Sequence, residues 1–233
     1  MKITPVKTAV FKPGEDLPSF ITKYLPEVKE DCVIAVSSKV CGLWEGRIAP
    51  KEQKEKLIKS ESSFYLKTAL CYFTIKNNMV MTNGGVDESN ADGKIILLPK
   101  DCYSCARRLR KALQKKWKVK KLGVILTDSA ILPLRAGVIC AAVGYDGFCG
   151  AKDLRGKKDI FGRKLKLTLS NAADSLACAA GFLMGESSQK TPFALIEDAP
   201  VLFRRKANAR EMKYPFKNDL YYPFLKPFLK NKF

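Results

Sequence analysis

The stretch Gly123-Val124-Ile125-Leu126-Thr127-Asp128-Ser129 is an apolar run that ends in three polar residues. A second apolar run, over residues 72–81, leads into Asn83-Gly84-Gly85-Val86-Asp87-Glu88-Ser89-Asn90. Strands that end this way bring carboxylate, amide and hydroxyl oxygens to a sheet edge, and these are ligands that Mg²⁺ or Mn²⁺ prefers. Because Mg²⁺ held by few carboxylates completes its shell with substrate phosphates, the two segments together predict phosphoryl chemistry. Either segment alone is more typical of an ordinary polar turn.

The composition is that of a globular protein. Of the 233 residues, 46% are hydrophobic, enough for a sizeable core. No run approaches the roughly 18 apolar residues of a membrane span, and residues 1–5 lack the apolar stretch of a secretory signal. The eight cysteines are scattered through apolar segments, as expected of reduced core thiols. We therefore expect a cytoplasmic protein without a membrane partner.

One Cys-x-x-Cys motif, Cys102 and Cys105, follows Asp101, which we predict to be the N-cap of a basic helix. A zinc site would need two further thiolate or imidazole ligands, yet the chain has no histidine and no second such motif. The pair is therefore interpreted as part of a helix start, with zinc or redox function as the minor alternative. The absence of histidine leaves carboxylates, lysines, hydroxyls and a metal for any catalysis.

The charge is strongly positive, with 42 basic and 23 acidic residues and a net charge of +19. Such a surplus favours polyanionic partners, from phosphorylated small molecules to nucleic acid. Residues 201–233 form a basic, aromatic tail that suits either stacking on single-stranded nucleic acid or packing on its own domain or a partner subunit. We expect packing, and nucleic acid as an unlikely partner, because no nucleic-acid-binding motif accompanies the charge. Residues 1–200 are then the catalytic region.

Helices are predicted over residues 17–24, 51–66 and 172–184, the last between Asn171 and Gly185. Strands are predicted over 32–36, 122–126 and 164–169, and an exposed loop over 153–163. Ser37-Ser38-Lys39, at the end of the first of these strands, has the composition of a phosphate contact. Because strands and helices do not alternate strictly, we predict an α+β fold of mixed sheets with packed helices.

Six collinear segments of the chain resemble the coenzyme F420:L-glutamate ligase family, whose members add glutamate to a deazaflavin coenzyme precursor. The resemblance spans roughly residues 1–200 and rests on residues 36–47, 83–90, 97–109, 123–129, 153–163 and 173–186. It implies an unusual α+β fold, a homodimer, and a ligase that uses GTP or ATP with Mg²⁺ or Mn²⁺.

The resemblance also implies residue roles. Asp87, Asp128, Ser129 and Glu186 would hold the metal, and Asp87, Asp128 and Lys39 would serve catalysis. The nucleotide would be bound by Ser38, Lys39, Asn90, Met184, Gly185, Ser187 and Ser188. L-Glutamate and an anionic heterocyclic acceptor would be the other substrates, joined through an acyl phosphate.

The chain departs from the family pattern at three places. Lys7-Thr8-Ala9-Val10 stands where members carry a Gly-Leu-Pro-like segment, Leu43 where they carry lysine, and Ile131-Leu132 where they carry Gly-Arg. These changes suggest an altered substrate site and leave two acceptors open, a deazaflavin precursor or a pterin in a folate-type conjugate. A scaffold or nucleic-acid-binding protein without catalysis is the remaining alternative.

Overall fold

The computed structural model describes residues 1–228. Its strands are β1 (Lys2–Val6), β2 (Cys32–Ser37), β3 (Ile48–Pro50), β4 (Phe64–Lys67), β5 (Tyr72–Lys76), β6 (Met79–Thr82), β7 (Lys94–Ile96), β8 (Leu122–Ala130), β9 (Ile139–Asp146), β10 (Ala151–Asp153), β11 (Leu169–Asn171) and β12 (Phe193–Glu197). Its helices are α1 (Leu17–Tyr24), α2 (Ser38–Trp44), α3 (Lys54–Glu61), α4 (Cys102–Trp117), α5 (Ala172–Met184) and α6 (Tyr222–Leu225). No helix in this part of the chain is long and apolar enough to cross a membrane.

The central sheet has five strands in the order β1-β12-β2-β8-β9. Only β2 and β8 are parallel neighbours, and the other three pairs are antiparallel. Val36 lies opposite Leu126, and Ser37, the last residue of β2, lies opposite Thr127, where the polar end of β8 begins. This register places the residues that follow β2 next to the polar end of β8.

Both faces of the central sheet are covered. Alternate residues of β2 point to opposite faces, with Ile34 and Val36 packed in the core beneath α1 and α4 and Val33 and Ala35 in the core beneath α5. Such a nearly continuous apolar run is typical of a strand buried on both sides. Three smaller sheets, β4-β5-β6, β3-β7 and β10-β11, complete the α+β fold that the sequence predicts.

The predicted helices α1 and α5 have the predicted bounds. The Asp16 side chain accepts a hydrogen bond from the Ser19 N–H at the start of α1, and Asn171 accepts one from the Asp174 N–H at the start of α5. Asp101 caps α4 in the same way, through the N–H groups of residues 103 and 104. Each cap satisfies N–H groups that have no partner inside the helix.

Two predicted elements are wrong. The helix expected over 51–66 ends at Glu61, because Ser62 is extended and residues 64–67 pair with β5 as a strand. The strand expected over 164–169 does not form, and the next strand, β11, begins only at Leu169. The alternating Lys-Leu pattern of residues 164–169 does not face a core, since Leu167 is 83% exposed.

Residues 201–212 fold back on the end of β9. The Arg204 N–H donates to the Gly147 carbonyl at 2.8 Å, and the Arg110 guanidinium donates to the Arg205 carbonyl at 2.6 Å. Asp146, fully buried, accepts from Arg110 Nε at 2.7 Å and from the Ala207 N–H at 2.8 Å. The end of the predicted tail, residues 229–233, lies outside the described residues.

Candidate functional site

The end of β2 and the polar end of β8 meet through a side-chain hydrogen bond. Helix α2 begins at Ser38, immediately after β2, and the Ser38 hydroxyl donates to Asp128 Oδ1 at 2.7 Å. Ser38 is almost fully buried, so its partner is fixed. The register of the two parallel strands, with Ser37 opposite Thr127, explains why residues 90 positions apart come together.

Asp87 is presented by a tight turn that follows β6. Gly84 and Gly85 both have positive φ, and a Cβ on Gly85 would lie 2.5 Å from Leu98 Cδ1, so only glycine fits there. Asp87 then exchanges two backbone hydrogen bonds with Ile96, which fixes its position beside β7. Lys39 Nζ lies 2.7 Å from Asp87 Oδ2. The lysine after β2 is thereby joined to the second of the two predicted polar segments.

The two aspartates have opposite electrostatic environments. Burial acts to raise the pKa of Asp87, but hydrogen bonds from Lys39 and the Ser89 N–H outweigh it and lower that pKa. Burial raises the pKa of Asp128 to about 6, helped by the carboxylates of Asp87 and Glu186 and opposed by Ser38 and Lys39. The ionised form of Asp87 is thus stabilised, whereas burial disfavours the ionised form of Asp128.

Glu186 reaches the same region from the other face of the sheet. It follows Gly185, the residue at which α5 ends, and its Oε2 accepts a hydrogen bond from Ser129 Oγ at 2.8 Å. The Cys140 thiol donates to Glu186 Oε1 at 3.3 Å. Helix α5 can approach β9 closely because Gly181 has no side chain. A Cβ on Gly181 would lie 2.1 Å from Cys140 Sγ.

A cavity of about 490 Å³, named here the α5 cavity, opens beside these groups. Of the predicted site residues, it is lined by Lys39, Asn90, Asp128, Ser129, Met184, Gly185, Glu186, Ser187 and Ser188. Ser38 and Asp87 do not line it; they contact Asp128 and Lys39 respectively from outside the cavity. The volume is in the usual range of small-molecule sites.

Polar residues outside the predicted set also line the α5 cavity. Gln189 accepts the Ser187 N–H at 2.8 Å, and the carbonyl of Lys190 accepts the Thr8 N–H at 2.8 Å. Both line the cavity with Asp92 and Thr191. The signal was the polar run that continues past Ser188 directly after a helix end.

The three departures from the family pattern fall in different places. Ala9, Val10 and Leu43 line the α5 cavity, and Leu43 also packs against the core beneath α1 and α4. Ile131 and Leu132 follow β8 in an exposed segment and do not line the α5 cavity. The first two departures therefore alter the predicted nucleotide site, whereas the third lies on the surface.

The donor set suits a hard divalent cation. Within residues 1–228, no three histidine, cysteine or acidic side chains lie close enough together to hold an ion by themselves. Mg²⁺ does not require this, because it binds through one or two carboxylates and completes its shell with water and phosphate oxygens. Asp87 and Asp128 supply two carboxylates, and Ser129 and Glu186 lie beside Asp128 as further oxygen donors.

The Cys-x-x-Cys motif is buried in the core at the start of α4. Cys102 and Cys105 are 2% and 0% exposed, and burial raises the pKa of Cys102 to about 12. A protonated, buried thiol is a poor nucleophile and a poor metal ligand. Its position agrees with the helix-start interpretation.

Comparison with known proteins is consistent with the geometry. The family model described as F420-0:Gamma-glutamyl ligase matches residues 51–198. The coenzyme F420:L-glutamate ligase of Methanopyrus kandleri is 33% identical over 203 residues, covering 78% of this chain and 80% of the relative. That of Methanococcus maripaludis strain C6 is 43% identical over 129 residues, or 55% and 52% of the two chains. That of Methanocaldococcus jannaschii is 38% identical over 146 residues, or 63% and 58%.

The match spans about half the length of the Methanococcus relatives and most of the Methanopyrus one. The residues that the family model matches, 51–198, include both predicted polar segments and the end of α5. Family model and relatives agree with each other and with the α+β architecture. The chain belongs to the coenzyme F420:L-glutamate ligase family.

Proposed function

We propose that the protein is a metal- and nucleotide-dependent glutamate ligase that activates the carboxylate of an anionic acceptor as an acyl phosphate. The observation that carries the proposal is that Lys39 and Asp128 line the α5 cavity while Lys39 Nζ lies 2.7 Å from Asp87 Oδ2. Phosphoryl transfer needs a cation to stabilise the transferring phosphate and carboxylates to bind a metal ion, and Lys39, Asp87 and Asp128 supply these groups.

The α5 cavity is suited to a nucleoside triphosphate. Ser187, Ser188 and Gln189 offer hydroxyl, amide and backbone donors, and Lys39 and Lys190 offer positive charge. Phosphate oxygens are bound by such donors in many sites. Asn90, whose amide donates to the Ser187 carbonyl at 3.4 Å, joins the two sides of the cavity. GTP and ATP are both consistent with this lining.

Asp87 and Asp128 would hold Mg²⁺ or Mn²⁺, with Ser129 and Glu186 beside them. Such an ion, when bound, neutralises charge on the phosphates and orients them. Lys39 lies against Asp87 and would stabilise the negative charge of the transferring phosphoryl group. Ser38 fixes the orientation of Asp128 through its 2.7 Å hydrogen bond.

The reaction needs two displacements. A carboxylate oxygen of the acceptor attacks the γ-phosphorus, the bond to the bridging oxygen breaks, and the nucleoside diphosphate leaves. The glutamate amine then attacks the acyl carbon and loses a proton, the bond from carbon to the phosphate oxygen breaks, and inorganic phosphate leaves. Activation is required because a carboxylate oxygen is itself a poor leaving group.

A homodimer is part of the proposal. Large apolar side chains that are at least 83% exposed occur in the segment after β8, the loop before β11 and the end of α5, namely Leu134, Ile160, Phe161, Leu167 and Phe182. Exposed apolar surface often marks an interaction site. A second copy of the chain would cover them.

A cytoplasmic location is supported by the cysteines. All eight are unpaired in the structure. Free thiols of this number are typical of a reducing compartment.

Two acceptors, a deazaflavin precursor and a pterin such as pteroate, can be tested in one assay. Purified protein is incubated with L-glutamate, Mg²⁺ or Mn²⁺, GTP or ATP, and each acceptor, and the product is identified by the mass of one added glutamyl group. Lys39→Met should abolish product formation, whereas Lys23→Met, on the surface of α1, should not. Inactivity of the parent on both acceptors with either nucleotide would refute the proposed function.

A further inference from the structure

Helix α3 lies against residues 84–88, named here the Asp87 segment. Three residues of the helix, Lys54, Ile58 and Glu61, occur at positions i, i+4 and i+7, and residues with this spacing share one face of a helix. The face they form contacts the Asp87 segment at three successive points.

The first point is the carbonyl of Gly84, which α3 reaches through a buried lysine. Lys76, the last residue of β5, is 8% exposed, and its Nζ donates to the Gly84 carbonyl at 3.2 Å and to Glu61 Oε2 at 2.7 Å. Arg47 Nη2 donates to Glu61 Oε1 at 2.5 Å. Burial acts to raise the pKa of Glu61, but the hydrogen bonds from Lys76 and Arg47 outweigh it and lower that pKa. The last residue of α3 is therefore an anion that holds Lys76 against the turn.

The second point is apolar. Ile58, in the middle of α3, lies in one buried cluster with Val86. Val86 has an extended backbone, with φ −92° and ψ 115°. Successive side chains of an extended segment point to opposite sides, so Val86 faces α3 while Asp87 faces away from it, toward Lys39.

The third point is ionic. The carboxylate of Glu88, the residue after Asp87, pairs with Lys54, the first residue of α3. Glu88 Oε2 also lies 2.7 Å from Nζ of Lys51, in the short 3₁₀ turn that leads into α3. Both lysines lie at the start of the helix, so this end of α3 holds the end of the Asp87 segment.

The three contacts run in opposite order along the two elements. Lys54 holds residue 88, Ile58 packs near residue 86, and Glu61 acts on residue 84 through a lysine. Residues 84, 86 and 88 are therefore anchored on α3 from both sides of Asp87. A side chain that shares one ion with Asp128 has to be held to within about half an ångström, and anchoring on both sides restricts its position in this way.

We propose that α3 positions Asp87 for metal binding, with Lys76, Glu61 and Lys54 as positioning residues that act through the Asp87 segment. The inference rests on the proposed function, because it takes Asp87 as a ligand of a divalent cation. Partners that hold a metal ligand in place commonly change the metal affinity about 10- to 100-fold when they are removed.

Charge alone predicts the opposite result. Lys76 and Lys54 are cations, so replacing either with methionine removes a repulsion of a bound metal ion and should tighten metal binding if only the electrostatic field matters. Loss of positioning should weaken binding instead. The direction of the change therefore separates the two explanations.

Binding of Mn²⁺ alone is measured by electron paramagnetic resonance of the free ion, with full-length protein and no nucleotide or acceptor. Lys76→Met should weaken binding about tenfold, and Lys54→Met about threefold or more, since Lys51 still pairs with Glu88. Lys76→Arg, which keeps a charged donor, should restore most of the affinity lost in Lys76→Met.

Lys59→Met is the matched control, because Lys59 is an exposed cation of the same helix. It pairs with Glu55 on the surface at 2.6 Å. Its replacement should leave Mn²⁺ affinity within about twofold of the parent.

Hydrogen–deuterium exchange of the metal-free protein gives a readout that does not depend on metal. The N–H groups of Val86 and Asp87 donate to the carbonyls of residues 83 and 96, each at 3.0 Å. Exchange over residues 83–90 should rise in Lys76→Met and Lys54→Met and not in Lys59→Met. The Lys54 side chain is 33% exposed, so Lys54→Met tests the inference even if Lys76→Met unfolds the protein.

Two results would overturn the inference alone. One is Mn²⁺ binding that is unchanged or tighter in both Lys76→Met and Lys54→Met, and the other is exchange over residues 83–90 that equals that of the parent in both variants. A parent protein that binds no Mn²⁺ would instead refute the metal site of the proposed function, and the exchange measurement would still decide whether α3 orders the Asp87 segment.

Discussion

Replacing Asp128 with asparagine should stabilise the metal-free protein while abolishing the proposed ligase activity. Burial and the neighbouring carboxylates of Asp87 and Glu186 raise the pKa of Asp128 from 3.8 to about 6. Asparagine removes that charge but keeps an oxygen that can accept the 2.7 Å hydrogen bond from Ser38. The substitution therefore isolates the charge from the packing.

The magnitude follows from the raised pKa. A change of the pKa from 3.8 to about 6, at about 1.4 kcal/mol per pKa unit, means that the charge of Asp128 destabilises the folded protein by at most about 3 kcal/mol. Since Asp128 is only partly buried, we expect Asp128→Asn to raise the free energy of unfolding by about 1–2 kcal/mol. A raised carboxyl pKa means that the folded state binds the proton more tightly than the unfolded state. The loss of stability caused by the Asp128 charge is therefore absent below about pH 4, grows up to about pH 6 and is complete at pH 8.

The assay is urea denaturation of parent and Asp128→Asn in a chelator at pH 4.5 and pH 8. The variant should be more stable at pH 8, and the difference should shrink at pH 4.5. Asp31→Asn, on the surface 3.6 Å from Lys121, is the matched control and should show no such pH dependence. Added Mn²⁺ should stabilise the parent and not Asp128→Asn. A variant that is equally or less stable than the parent at pH 8 would refute the electrostatic argument.

Three other changes test separate parts of the structure. Cys102→Ala with Cys105→Ala should keep ligase activity within a few-fold of the parent, because the thiols are buried core groups; loss of activity together with loss of bound zinc, measured by metal analysis, would contradict this. Arg110→Met should destabilise the protein by about 3–5 kcal/mol in urea denaturation, because it leaves Asp146 buried without its 2.7 Å partner, and Arg110→Met with Asp146→Asn should recover part of the loss. Gly181→Ala should cost about 1–3 kcal/mol, since its Cβ would lie 2.1 Å from Cys140 Sγ; a thermal midpoint equal to that of the parent would show that α5 and β9 are not closely packed there.

Elements with a local signal were predictable from the sequence. Asp16 and Asn171 fix the starts of α1 and α5 by capping, and Gly185 ends α5, so these helices have the predicted bounds. The end of α3 was not predicted, because residues 62–66 contain no glycine or proline to stop a helix and only pairing with β5 makes residues 64–67 a strand. In residues 64–67, pairing with β5 outweighs the helix propensity of the local sequence.

The same distinction holds for the sites. The polar segment after β6 and the polar end of β8 mark Asp87 and Asp128 locally, and the structure links them to Lys39 and Ser38 respectively. A cavity of about 710 Å³ between α4, β9 and residues 206–213 has no local signal in the sequence, because residues 206–213 are held there by the buried contacts of Arg110 and Asp146. A cavity built from segments far apart in sequence depends on long-range packing that a single sequence does not reveal.

The central claim, activation of an acceptor carboxylate by phosphorylation, is tested most directly by isotope transfer. The acceptor that supports turnover is prepared with heavy oxygen in its carboxylate and incubated with L-glutamate, nucleotide and Mg²⁺, and the inorganic phosphate is analysed by mass spectrometry. The acyl-phosphate route predicts one heavy oxygen in each phosphate released with a glutamylated product. Unlabelled phosphate, or release of pyrophosphate and a nucleoside monophosphate, would contradict the account.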